Sequence, residues 1–235
     1  MRQVIAFGAL VGWLVVLSGG ATIAAVHATR ASDDALSQIE AQARELADHG
    51  ARSESVYILQ RALETYRDAP LRQRIEADIR LFSLEGHPAP HLQTGVAVGA
   101  RVPTMKELDG KVVLLFFWAH WCADCKAESS MVAALLDKYR AQGLVLVAPT
   151  QRYGYVSEGR PASPDRELRH IVQVRDASYA FMRKESVPVT DANYKQYGVA
   201  SIPMHVLIDR AGIIRLYQPG RITAEELDEA IRKLL

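Results

Sequence analysis

Apolar positions along this chain follow two rhythms, with a change between them near residue 90. In the first half they recur at helical spacing. Leu36, Ile39, Ala43 and Leu46 share one face, and Gly50 can end that helix. Val56, Leu59, Leu63 and Tyr66 form a second stripe, closed by Asp68-Ala69-Pro70. Leu71, Ile75, Ile79 and Phe82 form a third that stops before Gly86. Residues 31–86 therefore read as a small all-α segment. Pro88 and Pro90 oppose both helix and sheet, which marks residues 87–91 as a linker and 92–235 as a second domain.

From Leu92 the pattern alternates between strands and helices. Val112–Ala119 is an unbroken apolar run, the kind buried on both faces of a sheet, with Asp109-Gly110 as the turn before it. Residues 122–142 read as one continuous helix, with Met131, Leu135, Leu136 and Tyr139 inward and Gly143 as its stop. Leu144–Ala148 is a second buried strand. A loop over 150–164, carrying Arg152, Tyr153 and Tyr155, precedes one or two helices over 165–184. A short helix ends at Gly198. Met204–Asp209 and Ile213–Tyr217 are strands joined by a hairpin signal, Asp209-Arg210-Ala211-Gly212. Thr223 with Glu226 forms a capping box for a last helix burying Leu227, Ile231 and Leu234. The sum is an α/β domain, a mixed central sheet with flanking helices.

The N-terminus adds a compartment. Arg2 is followed by 23 uncharged residues, Val4 to Val26, and Val26-His27-Ala28 has the form of a cleavage site. Residues 1–28 read equally as a cleaved signal peptide or a retained membrane anchor, the glycines at 8, 12, 19 and 20 diluting the second reading. Both place the rest of the chain outside the cytoplasm, in a periplasmic or secreted setting. The formal charge is +1. Without residues 1–28, 27 basic residues face 27 acids, a balance that argues against a nucleic-acid partner.

The chemistry concentrates in one place. Both cysteines, Cys122 and Cys125, stand two residues apart where the long apolar strand gives way to a helix. Two thiols cannot complete a zinc site unaided, and no metal or other cofactor is expected. At a helix start, unpaired N–H groups and the helix dipole favour the thiolate of Cys122, the expected attacking sulfur. Cys125, one turn on, would resolve the mixed disulfide. Asp124 should raise the neighbouring thiol's pKa and Lys126 lower it.

Phe117 to Lys126 resembles the active-site segment of the thioredoxin-like superfamily. Tyr197-Gly198-Val199-Ala200-Ser201-Ile202-Pro203 resembles that family's cis-proline loop, and Leu207 to Gly212 its following hairpin. Leu108-Asp109-Gly110-Lys111 and Glu128, three residues after Cys125, are similar to the extracytoplasmic reductases of the TlpA and ResA type. The resemblance spans roughly residues 95–235 and implies a thioredoxin-like fold and a protein thiol–disulfide oxidoreductase, a reductase by preference. It implies protein thiols and disulfides as partners and a membrane electron donor. It also implies a cis Ile202–Pro203 bond whose Ile202 backbone, with the flat surface of Trp121, receives substrate. Thioredoxin's buried aspartate would fall at Phe116, so Glu128 becomes the candidate proton acceptor for Cys125, catalytic beside the two cysteines. Met204-His205 departs from the small polar residues common after the cis-proline. Residues 31–86 resemble a fragment of a tetratricopeptide-like array, or serve as a spacer.

Two rival readings remain. A peroxiredoxin-like peroxidase would carry threonine three residues before its reactive cysteine, where this chain has Ala119. A non-enzymatic metal chaperone or adaptor would use the same fold, with His120 and His205 flanking the thiols.

Overall fold

The computed structural model describes residues 18–157 and 160–235. Residues 39–235 form one compact unit and residues 1–38 another. The leader expected over residues 1–28 lies largely outside the described residues, and its cleavage site falls within helix α1 (Ser18–Asp48). Among the described residues, no helix is long and apolar enough to cross a membrane.

Helices α2 (Arg52–Thr65) and α3 (Ala69–Phe82) form an antiparallel pair. Asp68 caps α3 by accepting from Leu71 N–H at 3.3 Å, and Pro70 occupies its first turn, where the missing N–H costs nothing. Val56 and Leu59 of α2 and Leu71, Ile75 and Phe82 of α3 are buried, as is Ala43 of α1.

The α/β part contains a six-stranded sheet of order β1-β6-β3-β2-β7-β8. Its strands are β1 (Val96–Gly99), β2 (Val112–Phe117), β3 (Leu144–Val147), β6 (Ser186–Val189), β7 (Met204–Ile208) and β8 (Ile214–Pro219). The small ribbon β4 (Tyr155–Ser157) with β5 (Arg160–Pro161) stands apart from it. β2 runs parallel to β3 and antiparallel to β7. All six residues of β2 are buried, so it is the axis of the sheet. Burying a Val, Leu or Phe side chain contributes about 1.5–3 kcal/mol each, so this strand anchors whatever follows its C-terminal end.

The helices are α4 (Met105–Leu108), α5 (Ala123–Ala127), α6 (Ser129–Arg140), α7 (Pro164–Ser178), α8 (Asp191–Tyr197) and α9 (Ala224–Arg232). The capping box of α9 is formed as expected, with Thr223 and Glu226 each accepting from the other's backbone. The single helix expected over 122–142 is instead two, interrupted at Glu128 (φ −88°, ψ −6°). The cause is the Glu128 side chain, which turns inward and accepts from Ile222 N–H at 2.9 Å. The 150–164 stretch is not a bare loop, since it carries the β4–β5 ribbon. Strands β1 and β6 were not expected from sequence. Residues 87–91 are extended and held along β8: Ala89 N–H donates to Gly212 O at 2.9 Å, and Ile214 N–H to His87 O at 3.0 Å.

Candidate active site

Trp118, the residue after β2, is wholly buried and locked from several sides. Its carbonyl accepts from the hydroxyls of Thr150 and Tyr194, both at 2.7 Å, and its indole N–H donates to Ala148 O at 3.2 Å. The chain therefore leaves the sheet in a fixed direction and enters α5 with Cys122 as its N-cap. Cys122 and Cys125 are joined as a disulfide. Cys125 N–H donates to Cys122 Sγ at 3.0 Å. The same amide stabilises negative charge on that sulfur once the bond opens. Cys125 is fully buried, and Cys122 retains a small exposed surface. Of the two sulfurs, the one on the more accessible residue is that of Cys122.

The Ile202–Pro203 peptide bond is cis. Pro203 O accepts from Gly220 N–H at 2.8 Å, while Ile202 N–H and C=O make no hydrogen bond among the described residues. A free donor and acceptor on one residue suit pairing with an added strand. Trp121 is 44% exposed, the most open tryptophan among the described residues.

Glu128 is 3% exposed. Its Oε1 is held by Ile222 N–H, but its Oε2 has no hydrogen-bond partner and lies 3.4 Å from His205 Nε2. His205 is completely buried, and neither of its ring nitrogens is hydrogen-bonded. Its ring centroid is 5.2 Å from that of Phe116, its register partner across β2 and β7. Tyr179, whose ring faces Phe116, is also buried with an unpaired hydroxyl. Burial, and then the nearby Glu128 carboxylate, raise the Tyr179 pKa, so its phenol stays protonated. Orphaned polar atoms on three neighbouring side chains are rare in a core. Sequence reasoning named Glu128 and noted His205 as a departure, but did not join them. The available signal was a lone imidazole in the otherwise apolar β7.

A second cluster faces the other side of the motif. Glu167 is buried; its carboxylate accepts from Tyr153 N–H at 2.5 Å and Gly154 N–H at 2.9 Å and meets His120 Nε2 at 3.3 Å. This carboxylate folds the 150–164 stretch onto the residues preceding Cys122. The Tyr153 ring then stands edge-on to Trp121 at 5.2 Å. Burial lowers the His120 pKa below its ordinary value of 6.5; Glu167 opposes this in part, and His170 and Lys126 add to it. The two histidines considered for metal thus each face a carboxylate. Among the described residues, no group of three or more His, Cys, Asp or Glu side chains is arranged to hold a metal ion. Glu167 was missed from sequence, where it reads as an ordinary acid in the first turn of α7.

This geometry, a dithiol pair at the end of a central strand with a cis-proline loop, has a counterpart among known proteins. The family model for a thioredoxin-like domain matches residues 103–235. The chain belongs to the thioredoxin-like family. Its relatives within that family include the thiol–disulfide oxidoreductase ResA of Bacillus thuringiensis subsp. konkukian, 26% identical over 149 residues, covering 63% of this chain and 78% of the relative. The thioredoxin-like protein YneN of Bacillus subtilis is 25% identical over 147 residues, with the same coverage. A solved structure of a thiol:disulfide interchange protein DsbE from Chlorobium tepidum is 26% identical. It covers 64% of this chain and 96% of its own, with a TM-score of 0.48. Helices α2 and α3 lie outside the matched thioredoxin-like region.

Proposed function

We propose that this protein is a thiol–disulfide oxidoreductase that reduces protein disulfides outside the cytoplasm. The observation that carries the reading is the Cys122–Cys125 pair itself. One sulfur is capped by an amide at a helix start, the other is buried behind it, and a free backbone edge stands at Ile202. In the reduced protein the Cys122 thiolate attacks a substrate disulfide. A mixed disulfide forms, and the first substrate sulfur leaves as a thiolate that takes a proton. Cys125 passes its proton to the Glu128 carboxylate and attacks Cys122 Sγ. The second substrate thiolate leaves, and the protein ends as the disulfide. Two electrons have moved from the protein to the substrate. A dithiol carrier at the membrane must return them, since a secreted or periplasmic compartment offers no reduced thiol pool. The charge-free run after Arg2, read as leader or anchor, supports the location outside the cytoplasm.

The two cysteines separate in a trapping experiment. Cys125→Ser should accumulate a covalent adduct with a disulfide-bearing protein, releasable by dithiothreitol, and Cys122→Ser should form none. Adducts on Cys122→Ser, or turnover retained by either variant, would reject these roles. The reduction potential decides direction. A value near about −270 mV supports a reductase, and one near about −120 mV makes the protein an oxidant.

A further inference from the structure

The helical segment reaches the active site. Ser53, in the first turn of α2, is fully buried; its hydroxyl accepts from Ala200 N–H at 2.7 Å and Ser201 N–H at 3.2 Å. Its own N–H donates to Gly198 O at 2.9 Å. Further along α2, Gln60 and Gln218 exchange amide hydrogen bonds of 3.1 and 3.4 Å. Helix α2 is thereby fixed both to the segment that leads into Ile202–Pro203 and to β8.

A groove of about 540 Å³ runs between them. Glu54, Tyr57 and Gln60 line one side, and Asp124, Ile202 and Pro203 line the other. Asp124 lies within the dithiol motif, so the groove is continuous with the reactive centre. Its lining is rich in amides, hydroxyls and charges, which suits backbone and polar side chains more than an apolar ligand. Arg61 and Glu64, also on its wall, neutralise each other at 2.7 Å. That leaves Glu54 and Asp124 against Arg221, an excess of negative charge. Tyr57 is 39% exposed and rests on the backbone at Gly220, where an added Cβ would meet its ring at 3.3 Å. A rigid, half-open tyrosine is the residue type that anchors polypeptide contacts.

We propose that α2 is the specificity wall of the substrate site: the groove holds an extended polypeptide segment bearing the disulfide, with a basic residue beside the reacting cysteine. The segment pairs with the free Ile202 backbone, lies against Tyr57, and presents its cation to Glu54 and Asp124. This rests on the thiol–disulfide reading above and narrows its substrate to polypeptides of that charge.

The test uses the full-length reduced protein and three disulfides. Two are extended peptides, each with one disulfide-linked cysteine flanked by arginine or by glutamate. The third is bis(2-hydroxyethyl) disulfide, too small to span the groove. The wild type should favour the arginine peptide over the glutamate peptide roughly tenfold in kcat/KM. Tyr57→Ala and, separately, the conservative Glu54→Gln should each lower the ratio of arginine-peptide to small-disulfide kcat/KM, the first roughly tenfold. Glu54→Gln should also shrink the preference between the two peptides. Ratios unchanged in both variants, or a wild-type preference for the glutamate peptide, would overturn the proposal while leaving the oxidoreductase reading intact. A wild type that reduces none of the three would overturn both.

Discussion

Glu128 departs from what its place in the sequence suggests. An acid in the second turn of a helix ordinarily faces solvent, yet this one is buried with one oxygen unpaired. Its neighbour His205 sits across the strand register from Phe116, so β7 sets an imidazole opposite an apolar ring of β2. Glu128 was legible as a candidate acceptor by its spacing after Cys125. The imidazole was not, because its role depends on register between strands far apart in sequence. The expected consequence is kinetic. With no carboxylate to take the Cys125 proton, Glu128→Gln should slow release of the second substrate thiol at neutral pH by at least about tenfold. The rate should recover as pH rises and Cys125 loses its proton directly to solvent base. His205→Asn should shift the same profile in the same direction by less. Single-turnover thiol release measured across neutral to alkaline pH checks this, and a Glu128→Gln profile parallel to wild type would refute it.

At the scale of elements, legibility followed local sequence signals rather than burial, since β6 is buried throughout and was still missed. Strand β2, the hairpin of β7 and β8 and the capped α9 all carried local signals, while the cis Ile202–Pro203 bond was expected from the family resemblance alone. Strands β1 and β6 carried none. β1 has only one buried residue in four. β6 contains Pro188, which argues against a strand by local rules. The Pro188 carbonyl still joins the backbone bonding, accepting from Thr150 N–H at 3.0 Å. The contact between α2 and the cis-proline loop was also illegible, since it turns on a close approach rather than on periodicity. Gly198 has φ +62° and ends α8. A Cβ there would lie 2.8 Å from Arg52 Cβ and 3.1 Å from Gly50 O. Gly198→Ala should therefore destabilise by about 2–4 kcal/mol, combining left-handed backbone cost with overpacking. Gly50→Ala is the control, with φ +82° and nothing within 4 Å of the added Cβ. Its cost should be about 1–2 kcal/mol, the backbone part alone. Equal losses in denaturant titrations would mean that the α2 contact is slack.

For residues 39–235 as a whole, the linker expected over residues 87–91 lies inside one compact unit. The two prolines do keep residues 87–91 extended, as their chemistry requires, but extension is not detachment. Tyr197 OH donates to Pro90 O at 2.8 Å, Tyr217 N–H donates to Glu85 Oε1 at 2.9 Å, and Gln93 and Asn193 bond each other twice at 2.8 Å. Together with Ser53 and Gln60, the Glu85 and Pro90 bonds tie the helical segment and the linker to the α/β part. Breaking one part free would expose buried donors and acceptors at roughly 1–3 kcal/mol each. Separate melting of the helices is therefore unfavourable, and the unit should unfold in a single transition. Trp118 and Trp121 report only on the sheet domain, and far-UV circular dichroism reports on all helices. In a Trp13→Phe background, urea curves followed by tryptophan fluorescence and by circular dichroism should share one midpoint. A helical signal lost well before the fluorescence change would show that α2 and α3 are an independent module. It would also remove the rigidity that lets α2 act as a wall of the substrate groove.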